Sequence, residues 1–500
     1  MKESNSQQDV LQEEAPIRRD LYIDGGWRPA AEGRTIQRAN PADGTLAGEF
    51  ARASEEDART AIEAARRAFD EGPWPHALPA ERAEVMRKAA DLLEARQEQM
   101  ARWESLTSGA PLGQAQMMIA WAVDLFRYYA GLARDVHGKT FTFGNEMGLV
   151  LREPTGVAVQ LLPWNFPINQ AAWKIAPALA AGCTIVAKPD SKTPVTTLEL
   201  ARLFSEAGLP DGVFNVVVGE PEEIGDVLLT HPGVDVVSLT GSTETGKVIM
   251  RTAGGALKHV HLELGGKSPN VVFPDADLDA AAHASAWGVF FRSGQICTAS
   301  SRLLVHEDVE EEFLERLQQH AAAMTVGHPL EEETVLGPLV SAEQLETVQG
   351  YIRQGVEEGA HLAAGGERLN GDGLGNGYYL PPTIFTDVDA EMTIAREEIF
   401  GPVTCVMTFK DAPEALRLAN ETIYGLTAGV WTRDLSTALQ MARGIRAGKV
   451  WINTYGMVHV EMPHGGYKQS GIGRELGREG LDAYLQTKTV HMSLEKLSDR

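Results

Sequence analysis

The sequence predicts an α/β protein with two parallel sheets, on three observations. From Val157, short β-rich runs alternate with helical stretches: VAVQLL, a helix to Ala181, TIVAK, a helix to Ala207, VFNVVV, a further helix and VDVVSLT. A second alternation begins near Asn270 and runs through SRLLVH, VTCVMTF, LTAGVW and GKVWIN. Alternation of this kind marks βαβ units, with helices covering both faces of a parallel sheet. Finally, 500 residues are too many for one core; at about 150 residues per domain, roughly three units are expected.

The elements follow in order. MKESNSQQDVLQEEAPIRRD is polar and acidic, lacks the basic start and apolar core of a secretory signal, and reads as a disordered tail over residues 1–19. LYIDGGWRPA, with turn residues between short apolar segments, reads as a hairpin. A helix opens at Ser54, with Asp57 three residues on as in a capping box, and aligns Ala58, Ala61, Ile62, Ala65 and Phe69 on one face. The next helix repeats that rhythm in Val85, Met86, Ala89, Leu92 and Leu93. TFTFGNEMGLVLREP and TKTVHMSL are β-rich but fit neither alternation. They are read either as strands pairing across a subunit edge or as ordinary edge strands. Parallel sheets bind ligands at the carboxyl ends of their strands. Pro163, Trp164 and Asn165 fall after the first strand, Lys188 after the second, and Gly241 and Ser242 after the fourth.

Charge and cysteine content narrow the function. With 45 basic against 69 acidic residues the formal net charge is -24, which argues against nucleic acid or an anionic membrane surface as a partner. No apolar run approaches the roughly 18 residues of a membrane span, so the chain is expected to stay in water. Three cysteines cannot build a disulfide framework in a chain this long, which favours a reducing cytoplasm. Cys183, before TIVAK, and Cys405, inside VTCVMTF, look like strand residues. Cys297, in FFRSGQICTASSR, differs. Gly294 before it and Thr298, Ser300 and Ser301 after it allow a tight turn with free amides near the sulfur, although a cysteine between isoleucine and threonine is also a common core residue.

Two further segments carry chemistry. Glu263, in HLELGGKSPN, follows an apolar alternation and precedes two glycines. A lone carboxylate there is ordinarily an exposed charge, but a partly buried one with a raised pKa can activate water. TGSTETGKV nearly spells a phosphate-binding P-loop, yet Val248 stands where a magnesium-binding hydroxyl is needed. What remains is a strand-to-helix turn in which Gly241, Ser242 and Gly246 can meet a phosphate at a helix N-terminus without a metal.

Taken together, PWNFP, AKPDSKTP, TGSTETG, LELGGKSPN, GQICTASSR, EEIFGPV and PHGGYKQSG resemble the NAD(P)-dependent aldehyde dehydrogenase superfamily in order and spacing. The resemblance implies that Cys297 attacks an aldehyde, that Asn165 and the Cys297 amide hold the oxyanion, and that Glu263 activates the water releasing the acid from a thioester. It implies that Trp164, Lys188, Glu398 and Phe400 hold the dinucleotide, and that Phe166, Trp173, Phe291, Ile296, Thr298, Val458 and His464 line the aldehyde tunnel. No metal is expected. The fold implied is a Rossmann-type parallel-sheet cofactor domain over 20–139 and 159–265, an α/β catalytic domain over 266–470, and an oligomerisation element over 140–158 and 484–500, hence a homodimer or homotetramer.

One departure concerns the cofactor. Where NAD-selective relatives place a glutamate three residues after the lysine, this chain has Ser191 followed by Lys192, from which NADP use is expected. MPHGGY, with Glu461 nearby, is similar to bacterial aminoaldehyde dehydrogenases but names no substrate. The alternatives are a P-loop-like nucleotide hydrolase, disfavoured by Val248, and an inactive structural member of the same fold, against which stand Cys297 and Glu263.

Overall fold

The computed structural model describes residues 16–371 and 373–494. Its first sheet has eight strands in the order Gly471–Ile472, His259–Glu263, Val236–Thr240, Val157–Leu162, Thr184–Pro189, Phe214–Val216, Leu21–Ile23 and Gly26–Arg28. The run from His259–Glu263 to Phe214–Val216 is parallel. The flanking strands are antiparallel, and the outer pair is the hairpin expected from LYIDGGWRPA. Every residue of Thr184–Pro189 is buried, as helices on both faces require of a central strand. Helix Pro167–Ala181 is buried almost all round and fills the space beside the sheet.

The order of these strands fixes where a ligand can sit. Val157–Leu162 lies between Thr184–Pro189 and Val236–Thr240, so successive connections diverge on either side of it and open a crevice at the carboxyl ends.

The second sheet has seven strands, ordered His361–Ala364, Thr383–Thr386, Val403–Phe409, Arg302–His306, Pro269–Val272, Thr427–Trp431 and Lys449–Ile452. All but the first run parallel. Alternate side chains leave opposite faces: Val271, Leu304 and Met407 enter one core, and Val272, Leu303 and Val305 the other. Cys405 is buried within its strand, and Cys183 immediately before Thr184–Pro189.

The two β-rich outliers pair with each other within the chain. Leu485–Ser493 runs antiparallel to Glu146–Pro154, which pairs in turn with Lys139–Phe143. This three-stranded sheet carries exposed Phe141, Phe143 and Leu151.

Some boundaries differ from those expected. Ile17–Arg19 is not tail but a strand parallel to Leu46–Ala51, because fully buried Ile17 anchors it. Residues 1–15 and 495–500 lie outside the described residues. Val157 and Ala158, assigned to the outlying element, begin the first sheet. Residues 471–483, left unassigned, return to the first core through Leu476 and Leu481, and Tyr484, assigned to the outlying element, joins the same core.

The early helices form as their patterns predict. Glu55–Asp70 starts in a complete capping box and buries Ala58, Ala61, Ile62 and Ala65, and Pro79–Ala95 buries Met86, Ala89 and Leu93. At the cap, the Ser54 amide donates to Asp57 Oδ2 at 2.8 Å and the Asp57 amide to Ser54 Oγ at 3.4 Å. Ser54→Ala should therefore lower unfolding free energy by about 1 kcal/mol, read as a reduced urea midpoint at constant slope.

Candidate active site

Cys297 is placed by a strained turn. Helix Leu278–Phe290 is followed by Arg292, Ser293 and Gly294 with φ of 54°, 54° and 71°. For non-glycine residues this region costs about 1–3 kcal/mol each, so it persists only where surroundings enforce it. Here the Ser293 hydroxyl donates to Gly337 O at 2.7 Å. The Gln295 side chain donates to Arg292 O at 3.1 Å and accepts from the Val340 amide at 3.0 Å. The buried Arg292 guanidinium donates to Asn165 O through Nε at 3.2 Å, meets Ser108 Oγ, and lies over the Phe166 ring. At position 294 only glycine fits, because a Cβ would stand 1.9 Å from Gly401 O.

The turn brings Cys297 to a junction of groups from both sheets. Asn165 follows the first parallel strand, and its side-chain amide donates to Gln295 O at 2.9 Å. One amide hydrogen is thereby committed, which orients the other. Glu263 ends its strand nearly buried, and Glu398 Oε1 accepts from the Gly266 amide at 3.0 Å. Both glycines after Leu264 are needed, since a Cβ on Gly265 would meet Glu398 Oε2 at 2.2 Å and one on Gly266 the Cys297 carbonyl oxygen at 2.3 Å.

These groups all resist ionisation. Burial, and then the Glu398 and Glu263 carboxylates, push the half-buried Cys297 thiol up to about 12. Burial raises Glu398 to about 7. It also raises Glu263 well above the usual carboxylate range, with Glu475 adding to the effect and Lys174 opposing it. Lys174 is fully buried and pairs with Glu475, whose second oxygen has no partner.

Aromatic residues gather beside this junction. Phe166 and Phe291 have ring centroids 6.4 Å apart, and Trp173 meets His464 edge-on at 5.0 Å. Burial drives His464 down to about 3, so it is a neutral ring. Ile296 and Thr298 flank the half-buried thiol, and Val458 packs on the first core with Phe166 and Trp173.

On the other side lie the residues suited to a dinucleotide. Trp164 and Phe400 meet edge to face at 5.3 Å. Ser242 caps helix Thr243–Gly255 by accepting from the Thr245 amide at 3.2 Å, leaving the amides of Thr243 and Glu244 without an intrahelical acceptor. Just before it, buried Thr240 Oγ1 has no hydrogen-bond partner. A Cβ on Gly246 would meet Leu264 at 2.6 Å, so glycine permits the close helix packing such sites need. Nearly buried Lys188 faces the carboxylates of Asp190, Glu220 and Glu222. An unpartnered hydroxyl, a helix N-terminus and a cation, at strand ends on either side of Val157–Leu162, fit a pyrophosphate and ribose.

Two expectations from this region meet a different geometry. The Ser191 hydroxyl is not free: it bonds Arg38 and lies 3.2 Å from Glu220 Oε1, while Lys192 Nζ stands 3.8 Å from Asp190. The nucleotide-hydrolase alternative is unsupported, because Lys247 pairs with Glu244 at 2.6 Å and Val248 is exposed.

Arg292, Lys174, Glu475, Arg38 and Glu220 were not singled out in the sequence. Arg292 sits inside the quoted FFRSGQICTASSR, but nothing there indicates that its charge is buried. The others find their partners far along the chain.

The fold agrees with what similarity shows. The aldehyde dehydrogenase family model matches residues 27–490. The chain is 46% identical over 478 residues to the mitochondrial benzaldehyde dehydrogenase of Antirrhinum majus, covering 95% of this chain and 89% of that one. It is 44% identical to betaine aldehyde dehydrogenase of Bacillus subtilis, covering 94% and 96%. A crystal structure of an NAD-dependent aldehyde dehydrogenase from Sinorhizobium meliloti superposes with a TM-score of 0.95 at 46% identity, covering 98% and 97%. Betaine aldehyde dehydrogenase from Staphylococcus aureus in complex with NAD+ gives 0.95 at 38% identity, covering 98% of each chain. The chain belongs to the aldehyde dehydrogenase family, and it is an aldehyde-oxidising enzyme.

The raised thiol has a measurable consequence in the cofactor-free protein. Thiolate is the reactive form, so alkylation of Cys297 by iodoacetamide should accelerate about tenfold per pH unit between pH 7 and 10. Cys183 and Cys405 are buried and should stay unlabelled. A rate that levels off by pH 8 would show an ordinary or activated thiol.

Proposed function

We propose that the enzyme works through a covalent thioester on Cys297. The reading rests on the convergence of Cys297, Asn165, Glu263 and Glu398 at the seam between the two sheets. Cys297 Sγ bonds to the aldehyde carbon as its proton passes toward Glu263, whose raised pKa lets it hold a proton near neutrality. The uncommitted Asn165 amide hydrogen and the Cys297 backbone N–H stabilise the oxyanion. NAD(P)+, when bound, supplies the acceptor for the hydride that leaves this adduct. Lys188, the turn of Gly241, Ser242 and Gly246, Trp164, Glu398 and Phe400 would hold it. Glu263, having passed the thiol proton to solvent, takes a proton from water, whose oxygen attacks the thioester carbon, and returns it to Cys297 Sγ as the C–S bond breaks. The acid departs and the thiol is restored.

The substrate class is a small aldehyde. Phe166, Trp173, Phe291 and neutral His464, with Ile296, Thr298 and Val458, supply an apolar lining suited to aromatic faces and to cations alike. Three unpaired cysteines suit a reducing cytoplasm, and among the described residues no helix is long and apolar enough to cross a membrane. The outlying sheet has two open edges and exposed Phe141 and Phe143, which supports a homodimer or a dimer of dimers.

Cys297→Ala should abolish aldehyde oxidation while NAD binding, followed calorimetrically, stays within about twofold, since the residues proposed to hold the dinucleotide are intact. Near-wild-type turnover would remove Cys297 from the mechanism. Glu263→Gln should retain a rapid burst of up to about one reduced cofactor per site and then turn over at least ~100-fold more slowly, because the amide cannot take a proton from water. Stopped-flow absorbance separates the two phases, and unchanged steady-state activity would exclude Glu263 as the base.

A further inference from the structure

In sheets of this kind the acid that reads the adenosine ribose stands beyond the end of the second strand. Here that strand is Thr184–Pro189, and the chain continues through Asp190 and Ser191, which presents a hydroxyl. The structure brings a carboxylate to the same place from elsewhere. Glu220 lies just beyond Phe214–Val216, the strand beside Thr184–Pro189, and precedes helix Pro221–Thr230. Its Oε1 accepts from Arg38 at 3.0 Å and lies 3.2 Å from Ser191 Oγ. Its Oε2 has only a 3.5 Å contact with Ser191 Oγ, and the side chain is 30% exposed.

We infer that Glu220, clamped by Arg38 against Ser191, reads the 2′ position of the adenosine ribose, accepting the hydroxyl of NAD and repelling the phosphate of NADP. The inference rests on the dinucleotide reading above and reverses the cofactor choice expected from Ser191 and Lys192. Arg38 is tethered at this place, its Nε and Nη2 donating to the Ser191 carbonyl oxygen, the Ser191 hydroxyl and Glu220, so much of its charge is already matched by the Glu220 carboxylate. Lys192 is drawn to Asp190. Around the site the cations Arg38, Lys188 and Lys192 face the acids Asp190, Glu220, Glu222 and Glu343, so negative charge exceeds positive by one. A 2′-phosphate would add further negative charge in a place where water is partly excluded. A ribose hydroxyl would find Oε2 as an acceptor.

Equilibrium calorimetry on the aldehyde-free protein tests this without turnover, using NAD against NADP and AMP against adenosine 2′,5′-bisphosphate. Wild-type protein should bind the 2′-hydroxyl member of each pair about tenfold or more tightly. Glu220→Gln should close most of that gap, mainly by tightening the 2′-phosphate ligands, and Glu220→Ala should do the same while weakening NAD. Equal or tighter binding of NADP by the wild type would overturn the inference, as would an unchanged gap in both variants. If NAD binds and only the gap is unaffected, the dinucleotide reading stands and the role of Glu220 falls. If no ligand of either pair binds, both fall.

Discussion

Residues 264–268 join the last parallel strand of the first sheet to the first strand of the second, and the close approach they make is the constraint on which the site depends. Glu263 stands at one end of this link and Pro269 at the other. Between them Gly266 passes the Cys297 carbonyl so closely that it has no room for a Cβ, and a Cβ on Gly265 would displace the Glu398 carboxylate. The Gly266 amide then serves twice, linking the sheets and holding Glu398 Oε1 at 3.0 Å. Widening this passage by one methyl group would move the Cys297 thiol and both carboxylates relative to one another, because each is attached to a different edge of the same gap.

Closing water out of that gap sets its electrostatics. Cys297, Glu263 and Glu398 are all raised by burial, and the two carboxylates oppose formation of the thiolate. The groups therefore resist ionising together. A carboxyl raised in this way can hold and return a proton near neutral pH, which one with an ordinary pKa does poorly. Lys174 and Glu475 lie behind Glu263 with opposing influences, Glu475 favouring its neutral form and Lys174 its charged form.

Much of this was legible in the sequence wherever the information was local. Strand alternation gave the two parallel sheets, Ser54 and Asp57 gave a helix start, and glycines around Cys297 and Glu263 marked tight passages. What escaped depends on partners remote in the chain. Lys174 reads as a polar residue on an apolar helix until Glu475, 301 residues away, pairs with it. Ser191 reads as a free hydroxyl until Arg38, from strand Thr35–Ala39, and Glu220, from just before helix Pro221–Thr230, close on it. Arg292 reads as a surface charge until its guanidinium proves to be the brace of a left-handed turn. The outlying strands were recognised, but periodicity does not specify a partner, and they pair with each other.

Glu263 belongs to the first sheet, whereas Cys297 and Glu398 precede strands of the second, so their juxtaposition requires that the sheets stay in register. The chain secures this by crossing back. Gly471–Ile472 returns from the second unit and pairs antiparallel with Leu262 and Glu263, adding a backbone clamp to the strand that carries the carboxylate. The Leu264 amide donates to Ser470 O at 2.9 Å, and the Ser470 hydroxyl donates to Gly265 O at 2.7 Å. Behind the strand the Lys174–Glu475 pair joins helix Pro167–Ala181 to the same returning segment, and breaking so buried a pair costs about 3–5 kcal/mol. The backbone of Glu263 and one of its flanks are thus held by the returning segment. A Cβ on Gly465 would lie 2.7 Å from Glu263 Oε1, so the glycine leaves room beside that carboxylate.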